Sequence, residues 1–225
     1  WAPPPGASVA LFGRDGARYV RAMCGRFALT TPQDSVLTTF SAQPSPRLAE
    51  RLGNLGPRWN VCPTTDIPVV LSHEGKRLLA PLRWGFVPRW YKSPTGGPLL
   101  INARSETIAE KPAFREACRE RRCLIPADGF YEWTKLGERR QPHWIRPAAG
   151  PPEGSLFAFA GVWQTWKNPE DGQRLAACAI VTAGAGPDLE SLHEGFWAHH
   201  TVHPRVNGVK DDDPELIAPW EPEEA

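Results

Sequence analysis

Met23-Cys24-Gly25-Arg26-Phe27 is the segment on which the interpretation of this sequence depends. Met23 is the only methionine in the 225 residues, and we interpret it as the initiator. Its removal, which is normal before a residue as small as cysteine, would give Cys24 an amine beside its thiol. Such an aminothiol captures aldehydes, because the amine forms a Schiff base and the thiolate then closes a five-membered ring. From these residues alone, a buried cysteine behind an ordinary internal methionine is an equally good interpretation.

The composition is that of one globular domain. Hydrophobic residues make up 41% of the chain and charged residues 23%, and no apolar run approaches the ~18 residues that a membrane helix needs. Residues 1–22 lack the apolar core of a secretory signal, so we expect a cytoplasmic protein, and we expect a monomer. The five cysteines include no CxxC pair, which argues against a disulfide framework and a structural zinc site. A net charge of +1 allows only a short, local contact with phosphates.

Hairpins dominate the predicted secondary structure. A short helix is predicted with Thr31 as its N-cap, another is opened by Pro112, a third covers residues 188–194, and residues 42–58 are predicted to be a loop. The predicted strands, which form two hairpins, cover residues 67–71, 77–82, 156–163 and 174–182. The fold class is therefore α+β, a mainly antiparallel, barrel-like β-sheet with a few short helices.

Two aromatic segments carry candidate chemistry. Trp84 lies in the arginine-flanked segment 83–90, which either plugs one end of the β core or forms a wedge on which unpaired bases stack. Glu132 lies among aromatic residues in segment 123–133. Desolvation there would raise its pKa and let it exchange a proton near neutral pH, although an outward glutamate on an alternating strand is the other interpretation.

Six motifs follow one another in the order MCGRF, WGFVPRW, NARSET, CLIPADGFYEW, FAFAGVW and IVTAGA with SLH. Together they resemble the SRAP family, the SOS-response-associated peptidase domain, over residues 23–194. The resemblance implies the SRAP fold and a protein of the DNA damage response. Such a protein captures the ring-opened aldehyde of an abasic site in single-stranded DNA and shields it as a thiazolidine crosslink. It also implies a lyase-like activity, processing that exposes the cysteine, and no metal or organic cofactor.

The resemblance assigns catalytic roles to four residues. Cys24 would supply the amine and the thiol, and Asn102 would orient the cysteine and the sugar by hydrogen bonds. Glu132 would handle the protons of imine formation. His193 would help to open the deoxyribose ring and to assist reversal and strand cleavage.

The resemblance also assigns DNA-binding roles. Arg104 and Thr182 match positions that hold phosphates, while Arg26 and Trp84 match positions that line the cleft.

Both ends of the chain depart from the family pattern. Residues 1–22 are interpreted as a non-native or removed leader, since a retained leader would leave Cys24 with an amide that cannot form the thiazolidine. Residues 195–225 are interpreted as a diverged or frameshifted tail. Gly195 stands where the family has an arginine, and no signal for the last core strand is found. We do not expect zinc binding by His199, His200 and His203, because no cysteine or second cluster accompanies them.

Two other functions stay open at this point. In an autoproteolytic thiol peptidase, Cys24 would be the nucleophile, His193 its base and Asn102 the orienting group. A non-catalytic binder of single-stranded DNA would instead use Trp84, Phe86 and Arg104.

Overall fold

β-Strands dominate the computed structural model, which describes residues 9–10, 24–52, 56–136, 139–148, 156–182 and 197–221. The strands are β1 (Val9–Ala10), β2 (Phe27–Leu29), β3 (Gln43–Pro44), β4 (Arg58–Val61), β5 (Asp66–His73), β6 (Lys76–Trp84), β7 (Asn102–Arg104), β8 (Arg122–Ala127), β9 (Gly129–Leu136), β10 (Arg139–Pro147), β11 (Phe157–Lys167), β12 (Arg174–Thr182) and β13 (Trp197–Thr201). The helices are α1 (Gln33–Phe40), α2 (Pro46–Leu52), α3 (Arg115–Glu120) and two 3-10 helices, Pro204–Asn207 and Pro214–Ile217. The predicted α+β class is confirmed.

Five strands close into a barrel. β11, β8, β5, β6 and β12 pair in that order, and β12 pairs again with β11. Only the β12–β6 pair within this ring is parallel. β1, β3 and β7 extend the barrel sheet by pairing with β11, β6 and β12. β1 falls in the segment that we interpreted as a leader.

A second sheet has the order β13-β10-β9-β2-β4. Phe27 of β2 connects it to the barrel, because this side chain is fully buried with its ring centroid 5.2 Å from that of Trp84 in β6 and 6.0 Å from that of Phe159 in β11. The residues just before Phe27, Cys24 among them, therefore lie where the two sheets meet.

The predicted hairpins are confirmed. β5 and β6 pair in antiparallel register up to His73 and Lys76, which leaves a two-residue turn. Glu74 and Gly75 have φ angles of 50° and 74°, as a type I′ turn requires of both its central residues. β11 and β12 also pair as expected.

The predicted loop at residues 42–58 is wrong, because it contains β3 and α2. Proline has a fixed φ that suits the first helical position, so Pro46 begins α2 rather than breaking the chain, and the fully buried Leu48 anchors the helix. Of the helices in the described residues, none has the length and apolar character needed to cross a membrane.

Thr31 is not the N-cap of α1, which begins at Gln33 with Pro32 as its N-cap. The Thr31 hydroxyl instead donates to Oδ1 of the buried Asp128 at 2.6 Å. The helix predicted to be opened by Pro112 is present as α3, but it begins only at Arg115, with Phe114 as its N-cap. The helix predicted over residues 188–194 lies outside the described residues.

The tail supplies the strand for which the sequence had no signal. β13 pairs in antiparallel register with β10, with His143 opposite Thr201. Beyond it, Val202, Val206 and Leu216 are fully buried and pack with Tyr131 and Trp144 of the second sheet. The described tail therefore covers one face of this sheet.

We predict that Leu216→Ala lowers the free energy of unfolding by about 2–5 kcal/mol, because it deletes a fully buried side chain. Urea denaturation followed by tryptophan fluorescence measures the change. Val209→Ala is the matched control, since Val209 is 68% exposed and its truncation should change stability by less than about 0.5 kcal/mol. Equal, small effects of both substitutions would contradict a structural role for the tail.

Candidate active site around Cys24

Cys24 is buried immediately before β2, with 1% of its surface exposed. Its thiol donates to the Arg26 carbonyl at 3.5 Å, and the Tyr131 backbone N–H donates to the same carbonyl at 3.0 Å. Because Tyr131 precedes Glu132 in β9, this shared carbonyl brings Cys24 close to the predicted acid/base.

Asn102 reaches Cys24 from the barrel side. Its Nδ2 donates to the Cys24 carbonyl at 3.2 Å, and the pairing of β7 with β12, with Asn102 opposite Ile180, holds it in place. Its Oδ1 is buried, and no described residue donates to it. The amide is thus anchored at one end and keeps an acceptor for an amine or a sugar hydroxyl.

Glu132 has the environment of an acid/base near neutrality. Burial raises its pKa to about 7, and the Trp133 backbone N–H only partly opposes this shift. Its Oε1 is buried without a hydrogen-bond partner among the described residues. A carboxyl with this pKa is present in both protonation states at neutral pH, so it can donate and accept protons.

The thiol of Cys24 is electrostatically coupled to this carboxyl. Burial raises the pKa of Cys24 well above its ordinary value, and the charge of Glu132 raises it further, while the hydrogen bond to the Arg26 backbone lowers it. Cys24 is therefore a neutral thiol near neutral pH. It becomes a nucleophile only when a base takes its proton, and Glu132 is the titratable group whose charge raises its pKa.

The two expected phosphate ligands differ in exposure. Arg104 is exposed at the end of β7, two residues after Asn102, and suits a phosphate contact beside the cysteine. Thr182 lies opposite Arg104 in the β12–β7 ladder. It is buried, and its carbonyl accepts from the Ser105 N–H at 2.7 Å, so little of its surface is left for a phosphate.

Arg26 faces the tail. Its guanidinium donates to Asn60 Oδ1 at 2.7 Å and to the carbonyls of Val206 at 2.6 Å, Asn207 at 3.2 Å and Gly208 at 3.2 Å. These contacts make it a clamp between β2 and the tail rather than a side chain that projects into a cleft.

The expectation that Trp84 lines the DNA cleft is wrong. Its ring is fully buried against Phe27, and its Nε1 donates to the Ile101 carbonyl at 3.1 Å. Phe86, which we considered for base stacking, is buried as well. Both residues plug the β core, so neither offers a ring face to a base.

Trp90 is the exposed aromatic that we did not single out. It belongs to the same segment as Trp84, but it is 61% exposed, and its ring lies 6.3 Å from that of Tyr91 in an edge-to-face arrangement. Gly85 and Pro88, between Trp84 and Trp90, were the signals that the strand geometry ends before Trp90.

The histidines have separate surroundings. His200 Nε2 lies 2.8 Å from the Ile217 carbonyl, and His203 Nδ1 accepts from the Arg205 N–H at 3.1 Å. Among the described residues, no group of three or more His, Cys, Asp or Glu side chains could hold a metal ion. His193 lies outside the described residues, so its predicted place in the site stays a prediction.

The sequence matches the family model described as SOS response associated peptidase (SRAP) over residues 23–196. It is 38% identical over 173 residues to the abasic site processing protein YoqW of Bacillus subtilis, covering 76% of this chain and 73% of that protein. It is 32% identical over 211 residues to the abasic site processing protein HMCES of Pongo abelii, covering 76% of this chain and 59% of that protein.

Solved structures share the fold. A protein from Bacteroides thetaiotaomicron aligns with a TM-score of 0.64 and 21% identity over 86% of this chain and 85% of its own. A protein from Bordetella bronchiseptica aligns with a TM-score of 0.58 and 18% identity over 88% of this chain and 95% of its own.

We predict that Glu132→Gln stabilises the fold increasingly as the pH rises. The pKa of Glu132 is raised from 4.5 to about 7 on folding, so the unfolded chain ionises first, and the wild type loses stability between these two pH values. Glutamine cannot ionise, so the variant should be more stable at pH 8 by up to about 3 kcal/mol, and by little near pH 4.5. Urea denaturation across this pH range measures the difference, and a gap that does not change with pH would refute the shift.

Proposed function

Because the chain belongs to the SOS response associated peptidase family, we propose that it processes abasic sites in single-stranded DNA through a covalent bond to Cys24. The observation that supports this proposal best is the meeting of three groups at one junction. These are the buried Cys24, the Asn102 amide bonded to its carbonyl, and Glu132 with a pKa of about 7. The similarity to relatives named abasic site processing proteins also supports the proposal.

The first step uses the amine that Cys24 has once it is the N-terminal residue. This amine adds to the aldehyde carbon of the ring-opened sugar and forms a carbinolamine. The protonated Glu132 gives its proton to the carbinolamine hydroxyl, which leaves as water. The product is an iminium ion, and Glu132 is left as a carboxylate.

The second step closes the ring. The Glu132 carboxylate takes the proton of the Cys24 thiol, and the thiolate adds to the iminium carbon. The new C–S bond neutralises the iminium nitrogen, gives a thiazolidine and leaves Glu132 protonated again. The net change is the joining of protein and DNA with loss of one water, a crosslink that would shield the lesion in the DNA damage response.

Asn102 contributes to orientation. Its anchored Nδ2 fixes the Cys24 carbonyl, and its buried Oδ1 can accept from the amine or from a sugar hydroxyl. Holding both reactants in an attack geometry removes much of the entropic cost of joining them.

Two exposed groups suit a single strand. Trp90 offers a ring face to an unstacked base, and Arg104 offers a guanidinium to a phosphate. Lyase-like strand cleavage would start from the same iminium ion, which acidifies the neighbouring sugar carbon. We propose it as a secondary activity that involves His193.

A thiol peptidase fits this site less well. Such an enzyme needs a readily formed thiolate, whereas burial and the charge of Glu132 raise the pKa of Cys24 well above its ordinary value. The crosslinking route tolerates this because the amine reacts first and the thiol is activated later.

Intact mass spectrometry tests the proposal. We predict that a chain beginning at Cys24, incubated with an oligonucleotide carrying one abasic site, gains the oligonucleotide mass less one water. Cys24→Ala, and a chain with one glycine added before Cys24 to block its amine, should form no thiazolidine. Glu132→Gln should form the adduct about 10²–10⁴ times more slowly. A stable adduct in Cys24→Ala would overturn the mechanism, and peptide cleavage that survives the added glycine would favour a thiol peptidase.

We predict that Trp90→Ala weakens binding to an undamaged single strand by about 1–3 kcal/mol, the contribution of one stacked base. The melting temperature should not change, because Trp90 is 61% exposed. Fluorescence anisotropy with a labelled oligonucleotide measures the affinity, and Val209→Ala controls for loss of an exposed apolar side chain. Binding as tight as that of the wild type would exclude stacking on Trp90.

A further inference from the structure

Glu132 has a cross-strand neighbour to which the proposed reaction gives no role. In the β9–β10 ladder, Glu132 is directly opposite His143. Side chains paired in this way lie on the same face of the sheet, with Cβ atoms about 4.5–5.5 Å apart. His143 is thus the titratable side chain that β10 presents to the proposed acid/base.

The two side chains carry complementary buried atoms. Glu132 Oε1 and His143 Nδ1 are both buried, and neither has a hydrogen-bond partner among the described residues. A buried polar atom without a partner is destabilising, because folding removes its hydrogen bonds to water, so a bond between these two atoms would remove two such costs at once.

The Thr134 hydroxyl lies against the other nitrogen of His143. Its Oγ1 is 2.8 Å from His143 Nε2, a contact in which either atom can donate, and 3.5 Å from the Gln141 carbonyl, to which it can donate. In the neutral tautomer that accepts the Thr134 hydrogen at Nε2, the ring carries its own hydrogen on Nδ1, the nitrogen without a partner among the described residues. A Glu132 carboxylate favours this tautomer, because a carboxylate can only accept a hydrogen bond.

The neighbours keep this ring neutral. Burial lowers the pKa of His143, and the charges of His199 and His200 on β13 lower it further; the rings of His143 and His199 are 5.9 Å apart. On the other side, Cys24 is a neutral thiol beside Glu132. Arg205, on the 3-10 helix that packs on β10, has its charge offset by three acidic side chains, Asp211, Asp213 and Glu215.

We propose that His143 is a positioning residue for Glu132, whose carboxylate it holds and stabilises by donating a hydrogen bond from Nδ1. This inference rests on the proposed function. The bond would matter most after Glu132 has protonated the leaving hydroxyl and before it takes the thiol proton. Hydrogen bonds in such sites are often long without substrate and tighten when it binds, which agrees with two buried atoms on paired residues that are not yet bonded.

The pH dependence of crosslinking tests the inference. In a chain beginning at Cys24, His143→Phe removes the donor, so the Glu132 carboxylate is less stabilised. The acidic limb of the adduct-rate profile should then move about one unit to higher pH. His143→Gln, whose amide can still donate, should restore part of the shift. His73→Phe is the matched control, since His73 is exposed and should leave the profile unchanged.

A DNA-free measurement separates this inference from the proposed function. The Glu132 carboxyl, assigned by its loss in Glu132→Gln, can be titrated by carbon-13 NMR in the wild type and in both His143 variants. A higher Glu132 pKa in His143→Phe than in His143→Gln and wild type would support the pairing. Identical titrations would overturn it, whether or not adducts form. A wild type that forms no adduct would overturn the proposed function instead, and the titration would still decide the pairing.

Discussion

The burial of Phe27 between the two sheets is the contact on which the candidate site depends. Its ring packs on Trp84 of the barrel and on Phe159, and no part of it is exposed. Burying such a ring is worth about 1.5–3 kcal/mol, so β2 cannot shift without losing that packing. Cys24, three residues earlier, is thereby delivered to the junction, where it meets Asn102 from one sheet and Glu132 from the other.

The sequence predicted those features that depend on residues close together in the chain. The turn residues Glu74 and Gly75 were sufficient for the β5–β6 hairpin. Aromatic neighbours indicated a desolvated Glu132, but they left an outward glutamate as an equal alternative. Long-range packing decided the rest. One segment buries Trp84 and exposes Trp90, and a period-two pattern cannot separate them across a proline. β10 was not predicted at all, because Pro142 in its middle reads as a break.

Burial affects both titratable groups of the site, the Cys24 thiol and the Glu132 carboxyl. A buried thiol with a raised pKa is protected from oxidants and from casual electrophiles, which react with the thiolate. The same burial brings the pKa of Glu132 close to neutrality, so desolvation also tunes the group that would activate the thiol in the proposed reaction. In the proposed reaction, a substrate that has first reacted with the amine therefore meets an activated thiol, whereas other reagents meet a neutral, buried one.

The clamp between Arg26 and the tail has a consequence for biosynthesis. The Val206 carbonyl that Arg26 binds is separated from it by 180 positions. The contacts around Cys24 are therefore completed only after the segment around Val206 has been synthesised. Until then, a nascent chain carries the cysteine without these surroundings.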